Sequence, residues 1–182
     1  MDHTALQIEQ LSPGAISATD HAALDGVLFE SAHRKDFASA AERAAFRTQW
    51  LGLYVDDFPD FVIVARHDSR IVGYIVGCPL TRPDDPRFEA LSYFHALGDV
   101  LNRAPAHLHI NITEPFRASG LGARLIEALI ARLAENGVPG VHAITAHDAR
   151  NARFYERCGF APTACVPWTD RRLVVMARAI AT

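Results

Sequence analysis

The clearest periodic pattern in the chain is a set of apolar residues with helical spacing. They occupy positions 121, 125, 126, 129, 130 and 133, and this spacing places them on one face of an amphipathic helix. Asn136, Gly137 and Pro139 follow, and these residue types are typical of a helix end. The pattern predicts a helix that opens at or near Gly120 and ends before Asn136.

Two further helices are predicted in the first third of the chain. The stretch ATDHAALDGVLFESAHR has Asp20 or Thr19 as a candidate cap, because short polar side chains accept hydrogen bonds from the first helical N–H groups. One face of this helix collects apolar residues, namely Ala23, Val27 and Leu28. The second helix covers SAAERAAFRTQWLGLYV.

The strands are indicated by short runs rich in β-branched residues. Phe61–Ala65 and Ile71–Gly77 predict an antiparallel hairpin, and HLHINI, GVHAITA and RLVVMARAI predict three more strands. ARNARFYERC predicts a short helix that Gly159 stops. Two helices, a hairpin, and then alternating strands and helices predict a mixed α/β sheet with helices on both faces.

Composition narrows the class of protein. A chain of 182 residues with 49% hydrophobic residues predicts one domain, 1–182, with a sizeable core. The net charge of −3 gives no basic field for nucleic acid or a membrane surface. Three cysteines without CxxC spacing predict reduced thiols. The N-terminus resembles no signal peptide and no window approaches 18 apolar residues, so we expect a soluble cytoplasmic protein.

The turn before the long helix has the sequence R-x-x-G-x-G-A, from Arg117 to Ala123. A glycine turn at a helix N-terminus directs unpaired N–H groups and the positive end of the helix dipole at one point, which suits a phosphate. The turn has neither GxxxxGK[ST] nor GxGxxG, so Walker and Rossmann loops are excluded. The alternative is a structural turn with no ligand.

Alternation along the HLHINI strand places three polar side chains, His107, His109 and Asn111, on one face. This face is predicted to line a cleft. His109 is a candidate base or amine-orienting group, since its ordinary pKa is near neutral, and a structural histidine is the alternative. His-x-His lacks an evident third ligand, so we expect no metal. His147 and Asp148 are weaker candidates.

R-x-x-G-x-G-A between an apolar strand and a long helix resembles the acetyl-CoA motif of the GNAT superfamily of N-acetyltransferases. NARFYERCGF, about 30 residues later, resembles the tyrosine-bearing helix of that superfamily. The resemblance implies a GNAT fold, with a mostly antiparallel sheet and one splayed parallel pair, and acetyl-CoA as cosubstrate without a metal. It assigns the CoA pyrophosphate to the backbone of Arg117, Ala118, Ser119, Gly120, Leu121, Gly122 and Ala123.

The resemblance also assigns roles outside the turn. Asn111 and Ile112 would pair with the pantetheine arm through their backbones, and Asn151 would cap its helix or meet pantetheine. Tyr155 would protonate the departing thiolate, with core packing beside Phe154 as the alternative. One position departs from the superfamily pattern, because Asp148 stands where an asparagine often occurs.

APAHLHINI is more similar to one branch, the bacterial acetyltransferases that resemble the C-terminal domain of O-GlcNAcase. That branch typically carries aspartate where this chain has Asn111, and an amide cannot act as a base near neutral pH. The leading hypothesis is an N-acetyltransferase for a small or peptide amine, with Tyr155 as acid and His109 as base or orienting group. The alternative is a non-catalytic acyl-CoA sensor. Dimers are common among such folds, so a homodimer is possible.

Overall fold

The computed structural model describes residues 6–11, 14, 16–146, 150–169 and 171–181. The described helices are α1 (Ala18–Ser31), α2 (Ala40–Arg47), α3 (Leu53–Asp57), α4 (Val100–Arg103), α5 (Leu121–Glu135) and α6 (Arg150–Arg157). A π-helical turn, Thr48–Gly52, joins α2 to α3. The described strands are β1 (Gln7–Gln10), β2 (Val62–His67), β3 (Arg70–Cys78), β4 (Ala106–Ile112), β5 (Gly140–Ala146), β6 (Ala161–Trp168) and β7 (Arg171–Ala179).

The sheet has the strand order β1-β2-β3-β4-β5-β7-β6. β2 is antiparallel to β1 and β3, and β7 is antiparallel to β5 and β6. Parallel pairing occurs between β4 and β5 and is short, with Ala106 opposite Val141 and His107 opposite His142. The prediction of a mixed α/β fold with one parallel pair is confirmed.

The chain divides into two compact units. The first comprises Met1–Gly77 and His109–Leu129, and the second comprises Cys78–Leu108 and Ile130–Thr182. β4 therefore begins in the second unit and ends in the first.

The first unit is built on the β2–β3 hairpin, whose turn residues Asp68 and Ser69 both have positive φ, of 50° and 65°. Two such residues form the tight turn that matches the twist of paired strands. Nearly every residue of both strands is buried. Helix α5 begins in the first unit and ends in the second, and its apolar stripe is buried as its spacing predicted: Leu121, Leu125, Ile126, Leu129, Ile130 and Leu133.

The start of α1 corrects a sequence-based prediction. Its N-cap is Ser17, not Asp20 or Thr19. The Ser17 hydroxyl accepts from the Asp20 N–H, and the Asp20 carboxylate accepts from the Ser17 N–H, so the two form a reciprocal capping box. Leu24, with Val27 and Leu28, is buried on this helix, while Ala23 is half-buried.

The two edge strands of the sheet, β1 and β6, were not predicted from the sequence. β1 is a four-residue strand with mostly exposed side chains, so it lacks a clear apolar alternation. β6 contains Pro162 and Pro167, which argue against a central strand but are tolerated at a sheet edge. Its pairing with β7 shifts register between Pro162 and Ala164. Within the described chain, no helix is long and apolar enough to cross a membrane.

Candidate active site

The glycine turn between β4 and α5 has an unusual backbone. A short 3₁₀ turn, Glu114–Phe116, leads into it, and then Ala118 and Gly120 adopt φ values of 60° and 83°. Glycine adopts this left-handed conformation at 120 without the strain that a Cβ would add. A Cβ there would meet no atom within 4 Å, so the space beside Gly120 is open to a ligand.

The backbone N–H groups of this turn are suited to binding an anion. The first intrahelical bond comes from the Arg124 N–H to the Gly120 carbonyl. From Ala118 to Ala123, the described residues supply no acceptor for the backbone N–H groups. Because Gly120, Leu121, Gly122 and Ala123 form the N-terminal end of α5, their unsatisfied donors add to its helix dipole. The result is a backbone site for an anion.

Side chains around the turn hold its shape. The Arg117 Nε donates to the Ile112 carbonyl over 2.9 Å, and the Ser119 hydroxyl donates to the Phe116 carbonyl over 2.7 Å. Arg117 is exposed and is tied to the end of β4 by its hydrogen bond to Ile112. Arg124, in the first turn of α5, donates to the Leu6 carbonyl over 3.3 Å.

At the end of β4, Asn111 forms a hydrogen bond through its side chain and Ile112 through its backbone carbonyl. The Asn111 Nδ2 donates to the buried Tyr74 hydroxyl over 2.9 Å. Burial raises the pKa of Tyr74 well above its ordinary value. The Ile112 carbonyl accepts from the Ser31 hydroxyl and from Arg117. Asn111 is therefore a donor to a neutral phenol, a role that aspartate, when ionised, could not fill.

His109 is half-buried and enclosed by two aromatic side chains. Its Nε2 lies 2.8 Å from the hydroxyl of the fully buried Tyr54. The rings of Trp50 and Tyr54 meet the imidazole edge to face, with centroids 5.0 and 5.1 Å away. Such packing restricts the ring orientation. His109 therefore has a defined position, which either a base or an orienting group needs.

His107 does not line a cleft, contrary to the prediction from strand alternation. Its side chain is 2% exposed, and its Nδ1 is 2.6 Å from the Thr81 hydroxyl. The rings of Phe88 and Phe94 lie 5.0 and 4.9 Å from it. Alternation predicts which face of a strand a residue occupies, but the loop 79–100 supplies the cover that buries this one.

His142, opposite His107 in the parallel ladder, is fully buried. Its Nδ1 donates to the Ala104 carbonyl over 2.7 Å, so Nε2 carries the lone pair. Within the described chain, Nε2 is a buried atom without a hydrogen-bond partner. Burial lowers the pKa of His142 to about 4, and the ring is neutral at physiological pH.

Tyr155 lies in α6 and is 7% exposed, with Phe154 and Phe160 packed at 5.3 and 5.5 Å. Burial raises its pKa well above the ordinary value, so the phenol is protonated at neutral pH. Asn151 is the second residue of α6 and is exposed. It therefore does not cap the helix, which is one of the two roles considered for it.

Two predicted candidates, His147 and Asp148, lie outside the described residues. The described part of the chain holds no cluster of three or more His, Cys, Asp or Glu side chains with metal-binding geometry. Within the described residues, Cys78, Cys158 and Cys165 form no disulfide. Tyr54 and Trp50 were not predicted as site residues. The sequence did contain an indication, because Phe46, Trp50 and Tyr54 are aromatic residues at every fourth position, which places them on one face of a helix.

Comparison with known proteins gives a family and a fold. A model of the acetyltransferase (GNAT) family matches residues 27–160. A solved structure described as SsHAT has a TM-score of 0.74 at 21% identity, with 98% of this chain and 100% of that chain covered.

Two other solved structures have described activities. The ribosomal-protein-S18-alanine N-acetyltransferase from Escherichia coli has a TM-score of 0.61 at 18% identity, covering 98% of this chain and 96% of that one. An aminoglycoside 6'-N-acetyltransferase complexed with coenzyme A has a TM-score of 0.67 at 15% identity, covering 97% and 98%. At these identities the structures show a shared fold.

Proposed function

Because the chain belongs to the acetyltransferase (GNAT) family, we propose that it transfers an acetyl group from acetyl-CoA directly to a primary amine. The observation that carries this proposal is the run of backbone N–H groups from Ala118 to Ala123, for which the described residues offer no acceptor. A pyrophosphate supplies acceptor oxygens and negative charge to such a site.

In this proposal the backbone from Arg117 to Ala123 binds the CoA pyrophosphate, and Arg117 adds positive charge. The pantetheine arm pairs with the end of β4. The Thr113 N–H donates to the Val72 carbonyl, so alternation directs the backbone of Asn111 to the same side, toward β3. The pairing proposed for Asn111 and Ile112 therefore falls mainly on the Ile112 N–H, since the Ile112 carbonyl already accepts from Ser31 and Arg117. Asn151 is a candidate pantetheine contact.

The reaction needs two proton transfers. The neutral amine nitrogen attacks the thioester carbonyl, forming the C–N bond, and collapse of the tetrahedral intermediate breaks the C–S bond. We propose that His109 orients the amine or accepts its proton, and that Tyr155 gives a proton to the departing CoA sulfur and regains one from solvent. The Tyr155 phenol is protonated at neutral pH and so has a proton to give, but burial raises its pKa and makes it a weaker acid than an exposed tyrosine.

The acceptor is proposed to be a small amine or a peptide amine. Structural relatives include a ribosomal-protein-S18-alanine N-acetyltransferase and an aminoglycoside 6'-N-acetyltransferase, so the fold serves both classes. We also propose that the chain belongs near the branch that resembles the O-GlcNAcase C-terminal domain, on the strength of the APAHLHINI stretch.

A second candidate function is an acyl-CoA sensor without turnover. Asn111 favours it, because its side chain donates to Tyr74 and cannot accept a proton from an amine. The two candidates share the CoA site and differ in the acceptor reaction.

The anion site is tested by Gly120→Ala, measured by calorimetry with CoA. We expect CoA affinity to fall at least about tenfold, because the new Cβ enters the open space and strains a φ of 83°. Gly137→Ala is the matched control: its φ is 68°, its Cβ also meets no atom within 4 Å, and it lies past the far end of α5. Equal affinity in both variants would contradict the proposed site.

The acid role is tested by Tyr155→Phe in single-turnover assays with an amine panel. We expect kcat to fall about 10²–10⁴-fold with CoA affinity unchanged. Tyr93→Phe is the control, since Tyr93 is also buried and burial also raises its pKa. An unchanged rate in Tyr155→Phe would remove Tyr155 from the mechanism, and CoA binding without acetylation of any amine would favour the sensor.

A further inference from the structure

Three aromatic residues in the first unit follow one another at every fourth position: Phe46, Trp50 and Tyr54. Residues four apart on a helix are neighbours on one face. Phe46 and Trp50 have ring centroids 6.2 Å apart, and Trp50 and Tyr54 both reach the His109 ring. The stripe therefore leads along the helices to His109.

The π-helical turn Thr48–Gly52 keeps this stripe aligned. An α-helix has 3.6 residues per turn, so a stripe of every fourth residue drifts around it. A π turn is wider and counteracts that drift. Gly52 permits the local packing, since a Cβ there would lie 2.9 Å from the Arg47 Nη1, and Arg47 Nε donates to Asp25 over 2.7 Å.

Two more rings pack on Phe46, at the end of the stripe that is farther from His109. The Phe37 and Phe29 ring centroids lie 5.3 and 6.2 Å from that of Phe46, and 5.8 Å from each other. We define the aromatic row as Phe29, Phe37, Phe46 and Trp50, all of which are half-buried. The helix that carries Phe46, α2, has no buried residue. The row thus keeps partial solvent access along its length, unlike core aromatics.

We propose that the aromatic row binds the acceptor amine through a flat apolar or aromatic group, beside His109. This inference rests on the proposed acetyl transfer and names its substrate class: primary amines attached to an aromatic or flat apolar body. The row ends at His109, the group proposed to orient or deprotonate the amine. An acceptor whose apolar body packs on the row would therefore have its amine next to His109.

Charges around the row favour an apolar body over a polyamine. The Arg43 guanidinium carbon lies 3.5 Å from the Phe29 ring centroid, and that of Arg34 lies 4.9 Å from the Phe37 centroid. Ring faces that already hold a cation disfavour a second one.

The carboxylates of α1 and α2 that could attract a second ammonium already have partners. Asp25 pairs with Arg47, Glu42 pairs with Arg34, and Glu30 accepts from the Glu114 N–H. A diamine would therefore have to compete with these contacts, whereas an aromatic amine can use the ring surfaces of Phe46 and Trp50, next to His109.

The two tryptophans of the chain allow a binding test that does not need turnover. In Trp168→Phe, Trp50 is the remaining tryptophan, and in Trp50→Phe the remaining tryptophan is Trp168, a half-buried residue packed on Tyr93. With CoA present, both variants are titrated with 2-phenylethylamine and with 1,4-diaminobutane. We expect 2-phenylethylamine to change Trp50 emission saturably, with a Kd at least about tenfold lower than that of the diamine, and Trp168 emission to stay constant.

A kinetic test uses the same two amines. We expect wild type and Trp168→Phe to favour 2-phenylethylamine in kcat/KM by at least about tenfold, and Phe46→Ala to lose most of that preference through KM. If Trp50 emission responds to neither amine while 1,4-diaminobutane is acetylated, the aromatic-row proposal is overturned and the proposed function stands. If no amine reacts, the proposed function fails, while the Trp50 titration still decides whether the row binds aromatic amines.

Discussion

His107 and His109 lie two residues apart on β4, and each packs against aromatic rings and meets a hydroxyl, but the two side chains differ in their exposure to solvent. His107 is enclosed by aromatic rings and bound to Thr81. His109 is half-buried, bound to Tyr54, and placed at the end of the aromatic row. The same residue type with the same strand phase is therefore fully buried at one position and partly accessible at the other.

The largest expected effect is the loss of activity on substitution of His109, which is not expected for a purely structural histidine. His109→Gln retains a hydrogen-bonding side chain but removes the titratable ring, so we expect kcat/KM to fall about 10²–10⁴-fold. The free energy of unfolding should change by only about 1 kcal/mol, because one part-buried hydrogen bond is affected. Steady-state kinetics and urea denaturation measure the two quantities. A rate within about twofold of wild type would make His109 a structural histidine like His107.

The next expected effect concerns His142, the buried neighbour of His107, and is a pH dependence of the free energy of unfolding. The pKa of His142 is lowered to about 4, against about 6.5 in an unfolded chain. Between these values the unfolded chain binds a proton that the folded chain does not, so stability falls as the pH falls from about 6.5 to 4. The loss attributable to His142 is up to about 3 kcal/mol, since one pKa unit corresponds to about 1.4 kcal/mol.

Urea denaturation across this pH range tests the expectation. His142→Gln keeps a donor for the Ala104 carbonyl but does not titrate, so its stability should depend less on pH than that of wild type. His33→Gln, at an exposed histidine, is the control and should follow wild type. Parallel curves for wild type and His142→Gln would show that His142 is not the source of the acid sensitivity.

The smallest effect concerns the partner of His107. Thr81→Val keeps the shape of the side chain and removes the hydroxyl that lies 2.6 Å from the His107 Nδ1. We expect the free energy of unfolding to fall by about 1–3 kcal/mol, because a buried polar group loses this partner. The kcat/KM of the folded enzyme should stay unchanged. Thr163→Val, at an exposed threonine, controls for the substitution itself, and an equal loss in both would contradict the structural role of Thr81.

Features that depend on neighbours in the sequence were predictable. The buried stripe of α5, the hairpin turn at Asp68 and Ser69, and the glycine turn at Gly120 all follow from local periodicity or backbone conformation. The strand β6 escaped prediction because its prolines are acceptable only where a strand lies at a sheet edge, and its place in the sheet is not a local property.

By itself, the sequence determined the alternation of elements, the glycine turn before α5 and the resemblance to an acetyltransferase family, because these depend on residues within one helix, strand or turn. Only the tertiary structure decided what each polar side chain of β4 does. Thr81 is 26 residues from His107, Tyr54 is 55 from His109, and Tyr74 is 37 from Asn111. Burial and hydrogen bonding are set by such distant partners, so a strand pattern alone cannot distinguish a structural histidine from one that faces a substrate.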